Sequence, residues 1–137
     1  MCKERWALIV EDDAHSLIAI SSLMKELGIR YKRNTTGANV PAMIDSMEPR
    51  PDFILMDTDL PDGDPFKICD EIRSNPYTAH IPVIAISDEF PSTMTRRAKA
   101  SGFSAILLKP LPRKDFSSIL DNLLGSSGSD KKALLSS

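Results

Sequence analysis

Four apolar runs constrain the fold of this sequence more than any other feature: Trp6 to Val10, Phe53 to Met56, Val83 to Ile86 and Ala105 to Leu108. Each is four or five residues long and is closed off by polar or turn-forming residues. Because the runs do not alternate, both faces of each strand must meet apolar partners, as in a parallel sheet covered by helices. A fifth segment, Ile29 to Asn34, does alternate: Ile29 and Tyr31 are interleaved with Arg30, Lys32 and Arg33. That pattern suits a strand at the edge of the sheet.

Between the runs the apolar spacing becomes helical. Leu17, Ile20, Met24 and Leu27 make one stripe, Phe66, Cys69 and Ile72 another, and Phe116, Ile119, Leu120, Leu123 and Leu124 a third. Gly28 and Gly125 mark helix ends, and Pro41 lies near the start of a helix reaching about Met47. Ser92 to Ser101 carries only Met94 and Ala98 in register, with Arg96, Arg97 and Lys99 between them, and reads as a short, loosely held helix. The sum is a strand followed by a helix, five times over. This predicts an α/β domain of the flavodoxin-like (βα)5 class: a doubly wound, five-stranded parallel sheet in the order 2-1-3-4-5, with helices on both faces and right-handed crossovers. Ligands of such sheets bind outside the carboxyl ends of the strands, near the switch point between the first and third. Residues 1–125 are expected to form the domain, and the Ser/Gly-rich stretch 126–137 to be a disordered tail.

Composition excludes several alternatives. The chain has 137 residues, 42% of them hydrophobic, which suits a single core. Seventeen basic residues stand against nineteen acidic ones, without the basic run of a nucleic-acid footprint, so no direct nucleic-acid binding is expected. No apolar run approaches the length of a membrane span, and the N-terminus lacks a signal-peptide pattern, so the expected location is cytoplasmic. Cys2 and Cys69 read as reduced thiols, the second in the core.

The strand ends carry the chemistry. They read Glu11-Asp12-Asp13 after the first strand, Asp57 after the third, Ser87 after the fourth and Lys109-Pro110 after the fifth. Carboxylates crowded into one crevice repel one another unless a cation shares them. Mg²⁺ prefers oxygen ligands and is held by one or two carboxylates plus phosphate oxygens, which fits a phosphate-handling site. Asp57 then has the position of a nucleophile that forms an aspartyl phosphate. Lys109, Ser87 and backbone N–H groups after Asp57 would neutralise or bind the phosphoryl oxygens. Taken alone, Asp13 reads as the N-cap of the first helix; beside Asp12 it reads as a metal residue. His15 is left out of the metal set.

At this point the sequence resembles response-regulator receiver domains over Arg5 to Gly125. The motifs are Val10-Glu11-Asp12-Asp13, Leu55-Met56-Asp57 followed by Leu60-Pro61-Asp62-Gly63-Asp64, Ile81-Pro82-Val83-Ile84-Ala85-Ile86-Ser87, and Lys109-Pro110. The resemblance implies that Asp12 and Asp13 serve Mg²⁺, that the carbonyl of Asp59 completes its shell, and that Asp57 accepts a phosphoryl group from a histidine kinase or histidine phosphotransfer protein. It implies further that Lys109 and Ser87 read the phosphate and that the bond before Pro110 is cis. Two departures stand out. Ile106 occupies the position where the family usually has Tyr or Phe, so coupling from Ser87 to the face of the fourth helix, fifth strand and fifth helix is expected to be weaker, or to run through Phe90 or Phe103. Pro65 follows Asp64 where glycine is common.

The expected function is that of a stand-alone, chemotaxis-regulator-like receiver. It would not be an enzyme acting on a separate substrate, but would assist its own phosphorylation and dephosphorylation, with Asp59 and Glu89 tuning the phosphoryl lifetime, and would signal through a downstream protein. One rival is a receiver-fold binding module that acts without phosphate. A more distant one is a haloacid-dehalogenase-type phosphatase, prompted by Asp57-Thr58-Asp59, although that motif normally ends the first strand.

Overall fold

The structure, a computed structural model, describes residues 4–89 and 91–125. Cys2, Phe90 and the 126–137 tail lie outside the described residues. Five strands and five helices alternate: β1 (Trp6–Val10), α1 (Ala14–Glu26), β2 (Arg30–Asn34), α2 (Val40–Ser46), β3 (Phe53–Asp57), α3 (Pro65–Ser74), β4 (Val83–Ser87), α4 (Ser92–Ser101), β5 (Ala105–Leu108) and α5 (Arg113–Gly125). The strands form one sheet in the order β2-β1-β3-β4-β5, with every pair parallel, as the sequence predicts.

The continuous apolar runs divide their side chains between two cores, because successive residues of a strand point to opposite faces. Ala7, Ile9, Phe53, Leu55, Ile84 and Ile86 face α1 and α5, meeting Leu17, Ile20, Leu23, Phe116 and Leu120. Leu8, Val10, Ile54, Met56, Val83 and Ala85 face the other way and meet Val40, Ile44, Phe66, Cys69, Ile72 and Ala98 from α2, α3 and α4. Burial on both faces is what removes the alternation from β1, β3 and β4. β2 keeps its alternation because it is an edge.

Ile29 belongs to the end of α1 rather than to β2. Gly28, at φ +70, lets its N–H reach the Lys25 carbonyl at 3.1 Å while the Ile29 N–H reaches Met24 at 2.8 Å. This is a Schellman stop, and it buries Ile29 just before the strand begins. α4 is as lightly held as its sequence suggests: Ala98 is its only buried residue, and no side chain caps its N-terminus.

Arg73 ties the far end of α3 to the loops before β4 and β5. Its guanidinium donates to the carbonyls of Gly102 (2.8 Å), Ala79 (3.0 Å) and Ile81 (2.7 Å) and to Ser104 Oγ (3.2 Å). Gly102 ends α4 at φ +95, and a Cβ there would lie 2.6 Å from Arg73 Cγ. Gly102→Ala therefore meets both left-handed backbone strain and a clash, with an expected destabilisation of about 2 kcal/mol. Equilibrium urea unfolding measures this, and a change below about 0.5 kcal/mol, the range of neutral surface substitutions, would show that Arg73 gives way freely.

Candidate functional site

The parallel order brings the carboxyl ends of β1, β3, β4 and β5 side by side. β1 stops at Val10, but Glu11 continues its direction, donating its N–H to the Asn34 carbonyl at 3.0 Å. Its side chain is fully buried. Asp57 is the last residue of β3 and is nearly buried. Lys109 follows β5, with its N–H on the Ser87 carbonyl at 2.8 Å, so the β4–β5 ladder carries it to the crevice. The Lys109–Pro110 bond is cis, as expected, and so is Glu48–Pro49.

The Lys109 ammonium lies between two carboxylates, 2.5 Å from Glu11 Oε1 and 2.9 Å from Asp57 Oδ2. Asp57 Oδ1 accepts the Asp59 N–H at 3.0 Å. Glu11 is held by the Lys109 ammonium at Oε1 alone, and its Oε2 is buried without a partner among the described residues. Burial, reinforced by the adjacent Asp57 and opposed by Lys109, pushes the Glu11 carboxyl up to about 7. Burial by itself would lower Lys109, but the two carboxylates hold its ammonium above the ordinary lysine value.

Glu11, Asp12 and Asp57 each present a carboxylate oxygen within 4.8 Å of the others. Asp13, which the sequence predicts to serve a metal, lies outside this group. Its carboxylate turns back to cap α1, accepting the Ser16 N–H at 2.8 Å. The Ser16 contacts, backbone first, hold its pKa below the usual carboxylate range. A helix that starts at Ala14 takes Asp13 as its cap, which leaves the buried Glu11 and the exposed Asp12 as the pair beside Asp57. The sequence reading thus missed Glu11. Five apolar residues ending at Val10, followed by one more strand-like position, were the available signal.

Ser87 is buried, but its hydroxyl is engaged locally, donating to the Glu89 carbonyl at 3.0 Å. Of the two N–H groups after Asp57, that of Thr58 is bound to the Ile86 carbonyl at 3.1 Å and that of Asp59 already faces Asp57. The Asp59 side chain is exposed, and His15 is exposed outside the cluster. Ile106 is half-buried against the second core, opposite Ala85 on β4.

The donor set fits a hard dication. It offers only oxygens, among them a buried Glu11 Oε2 without a partner, in a group of three carboxylates balanced by one ammonium. The same crowding makes the metal-free protein sensitive to pH. Folded Glu11 holds its proton up to about 7, whereas the unfolded residue releases it near 4.5. The folded state binds the extra proton within this window, so stability falls as pH rises through it, by an expected 2–3 kcal/mol as an order of magnitude. Urea unfolding in EDTA at pH 5 and pH 8 measures the fall, and Glu11→Gln should flatten it. An unchanged slope in Glu11→Gln would assign the fall to other groups.

Comparisons with known proteins agree with this geometry. The family model of the response regulator receiver domain matches residues 7–121. The chain is 28% identical over 131 residues to the peroxide stress-activated histidine kinase mak1 of Schizosaccharomyces pombe, a match covering 90% of this chain but only 8% of the kinase. It is 28% identical over 118 residues to the polar-differentiation response regulator DivK of Brucella anthropi, covering 86% of this chain and 94% of DivK. Among solved structures, it resembles the receiver domain of a sensor histidine kinase from Pseudomonas aeruginosa, determined with a magnesium ion coordinated in its active-site cleft. The TM-score is 0.81 and the identity 27%, covering 90% of this chain and 100% of that one. No helix among the described residues is long and apolar enough to cross a membrane.

Proposed function

This chain belongs to the response regulator receiver domain family, and from that premise we propose that it is a phosphorylation switch in which Asp57 takes a phosphoryl group from a histidine kinase or histidine phosphotransfer protein. One observation carries the assignment to Asp57: its nearly buried carboxylate closes the central strand, held by Lys109 on one oxygen and the Asp59 N–H on the other. Those two contacts aim the carboxylate into the crevice. An Asp57 oxygen attacks phosphorus, the bond to the donor histidine nitrogen breaks, and the nitrogen leaves with its electron pair. The transfer involves no oxidation or reduction, and no cofactor is consumed. Lys109 neutralises charge on the acceptor and on the transferred group, and the Ser87 hydroxyl, at the end of the neighbouring strand, would turn from Glu89 to a phosphoryl oxygen.

Glu11, Asp12 and Asp57 are the residues that would hold Mg²⁺, with the Asp59 carbonyl as a further ligand. When bound there, Mg²⁺ supplies charge neutralisation for the phosphoryl oxygens and relieves the repulsion among the carboxylates. The phosphorylated form then signals by contact with a partner protein, and a cytoplasmic location accords with a kinase donor.

The test is intact-mass spectrometry after incubation with acetyl phosphate. We expect a gain of one phosphoryl group with Mg²⁺ and none with EDTA. If no adduct forms under rapid quenching while Mg²⁺ binds normally, the reading fails, and a phosphate-independent binding module takes its place.

A further inference from the structure

Ile106 removes the aromatic side chain through which a change at Ser87 would ordinarily be passed on, and α4 carries a contact that can serve instead. Arg97, on α4, reaches across to the start of α3. Its Nη2 lies 3.2 Å from Asp64 Oδ2, and its guanidinium carbon stacks 4.1 Å from the centre of the Phe66 ring. Asp64 is at the same time the N-cap of α3, accepting the Phe66 N–H at 3.0 Å. Phe66 meets Phe103 edge-on at 5.8 Å.

The two sides of this contact differ in how firmly they are held. The start of α3 is fixed: in the loop leading to it, the Asp62 N–H bonds the Thr36 carbonyl at 2.9 Å, and Gly63 packs so closely on Gly37 that a Cβ would lie 2.7 Å from its oxygen. α4 is held less firmly, with Ala98 its only buried residue and no side-chain N-cap. The segment before it is tied back by the Ser87 hydroxyl on the Glu89 carbonyl. A phosphoryl group on Asp57 offers that hydroxyl a charged and therefore stronger acceptor. Turning toward it gives up the bond to Glu89, three residues before the start of α4.

We propose that Arg97 is a positioning residue, a latch between the fixed start of α3 and the loosely held α4, that keeps α4 in its unphosphorylated place and so sets how readily the acceptor site switches. The inference rests on the phosphoacceptor reading of Asp57. Phosphorylation works against the latch, and by reciprocity of coupled equilibria, loss of the latch favours the occupied acceptor site.

The probe is beryllofluoride with Mg²⁺, which mimics the acyl phosphate, titrated by ¹⁹F NMR into the wild-type protein, Arg97→Met and Arg96→Met. Arg97→Met keeps the side-chain bulk but loses both the ion pair and the stack. It should bind about three- to ten-fold more tightly, the size expected of one exposed ion pair plus one cation–π contact. Its α4 amides should also exchange faster in the unliganded protein, while Arg96→Met matches the wild type in both measurements. A purely local role for Arg97 would alter exchange but not affinity. If wild type and Arg97→Met bind beryllofluoride within two-fold of each other, the latch is overturned while the acceptor assignment stands. If the wild type does not bind it at all, the acceptor reading fails and the latch falls with it.

Discussion

Lys109→Met should be the most damaging single substitution at the site, losing about 3 kcal/mol of stability in EDTA at pH 8 and slowing phosphorylation from acetyl phosphate by about 100-fold or more. The methionine fills the space but leaves no charge between Glu11 and Asp57, whose side chains are 0% and 8% exposed. Removing one partner of a buried ionic group leaves the others uncompensated, and this, rather than the intrinsic worth of the pair, sets the size of the effect. The loss should shrink at pH 5, because Glu11, already pushed up to about 7 with the lysine present, then carries its proton. Mg²⁺ should also shrink it by supplying the missing positive charge. Urea unfolding at the two pH values, with and without Mg²⁺, reads all of this. Equal losses at pH 5 and pH 8 would mean that Lys109 stabilises the fold by packing and not by charge.

Asp57→Asn should leave no detectable phosphoryl adduct at any Mg²⁺ concentration, because an amide is no nucleophile toward phosphorus. The fold should survive. The Asn carbonyl can still accept the Asp59 N–H, and the loss of one negative charge beside Glu11 removes a cause of that residue's raised pKa. Metal-free Asp57→Asn is therefore expected to be at least as stable as the wild type at pH 8, the opposite of Lys109→Met. Intact mass and urea unfolding on the same preparation separate the chemistry from the fold. A Mg²⁺-dependent adduct that persists in the variant would move the acceptor to Asp12 or Glu11, which lie within 4.8 Å.

Strand and helix identity were legible in the sequence, because burial on two faces or on one imposes its own periodicity on a single element, and the sheet order followed from the fold class these imply. β5 is the exception, an edge strand whose run Ala105 to Leu108 reads as covered on both faces but leaves Leu108 exposed. The same reasoning placed Asp57, Ser87 and Lys109 at one end of the sheet, since in a parallel sheet every strand ends on the same side and the first polar residue after each apolar run lies there. The acidic stretch after β1 was legible only as a stretch. Which of Glu11, Asp12 and Asp13 faces the crevice depends on where the strand stops and the helix starts, and a shift of one residue exchanges an inward side chain for a capping one. Ile29 shows the same limit, drawn out of β2 by the closing turn of α1.

The roles of Arg73 and Arg97 could not be read locally at all. Arg73 meets Gly102 across 29 residues, and Arg97 meets Asp64 across 33. In the sequence, Arg97 is one charge in a basic cluster and Arg73 an ordinary helical arginine. The sequence by itself determined the elements, their order and the end of the sheet where the chemistry lies, because those follow from patterns within each element. Only the tertiary structure decided which carboxylates share the crevice and which arginines hold the helices, because those depend on distances between parts of the chain that the periodicity of any one element does not record.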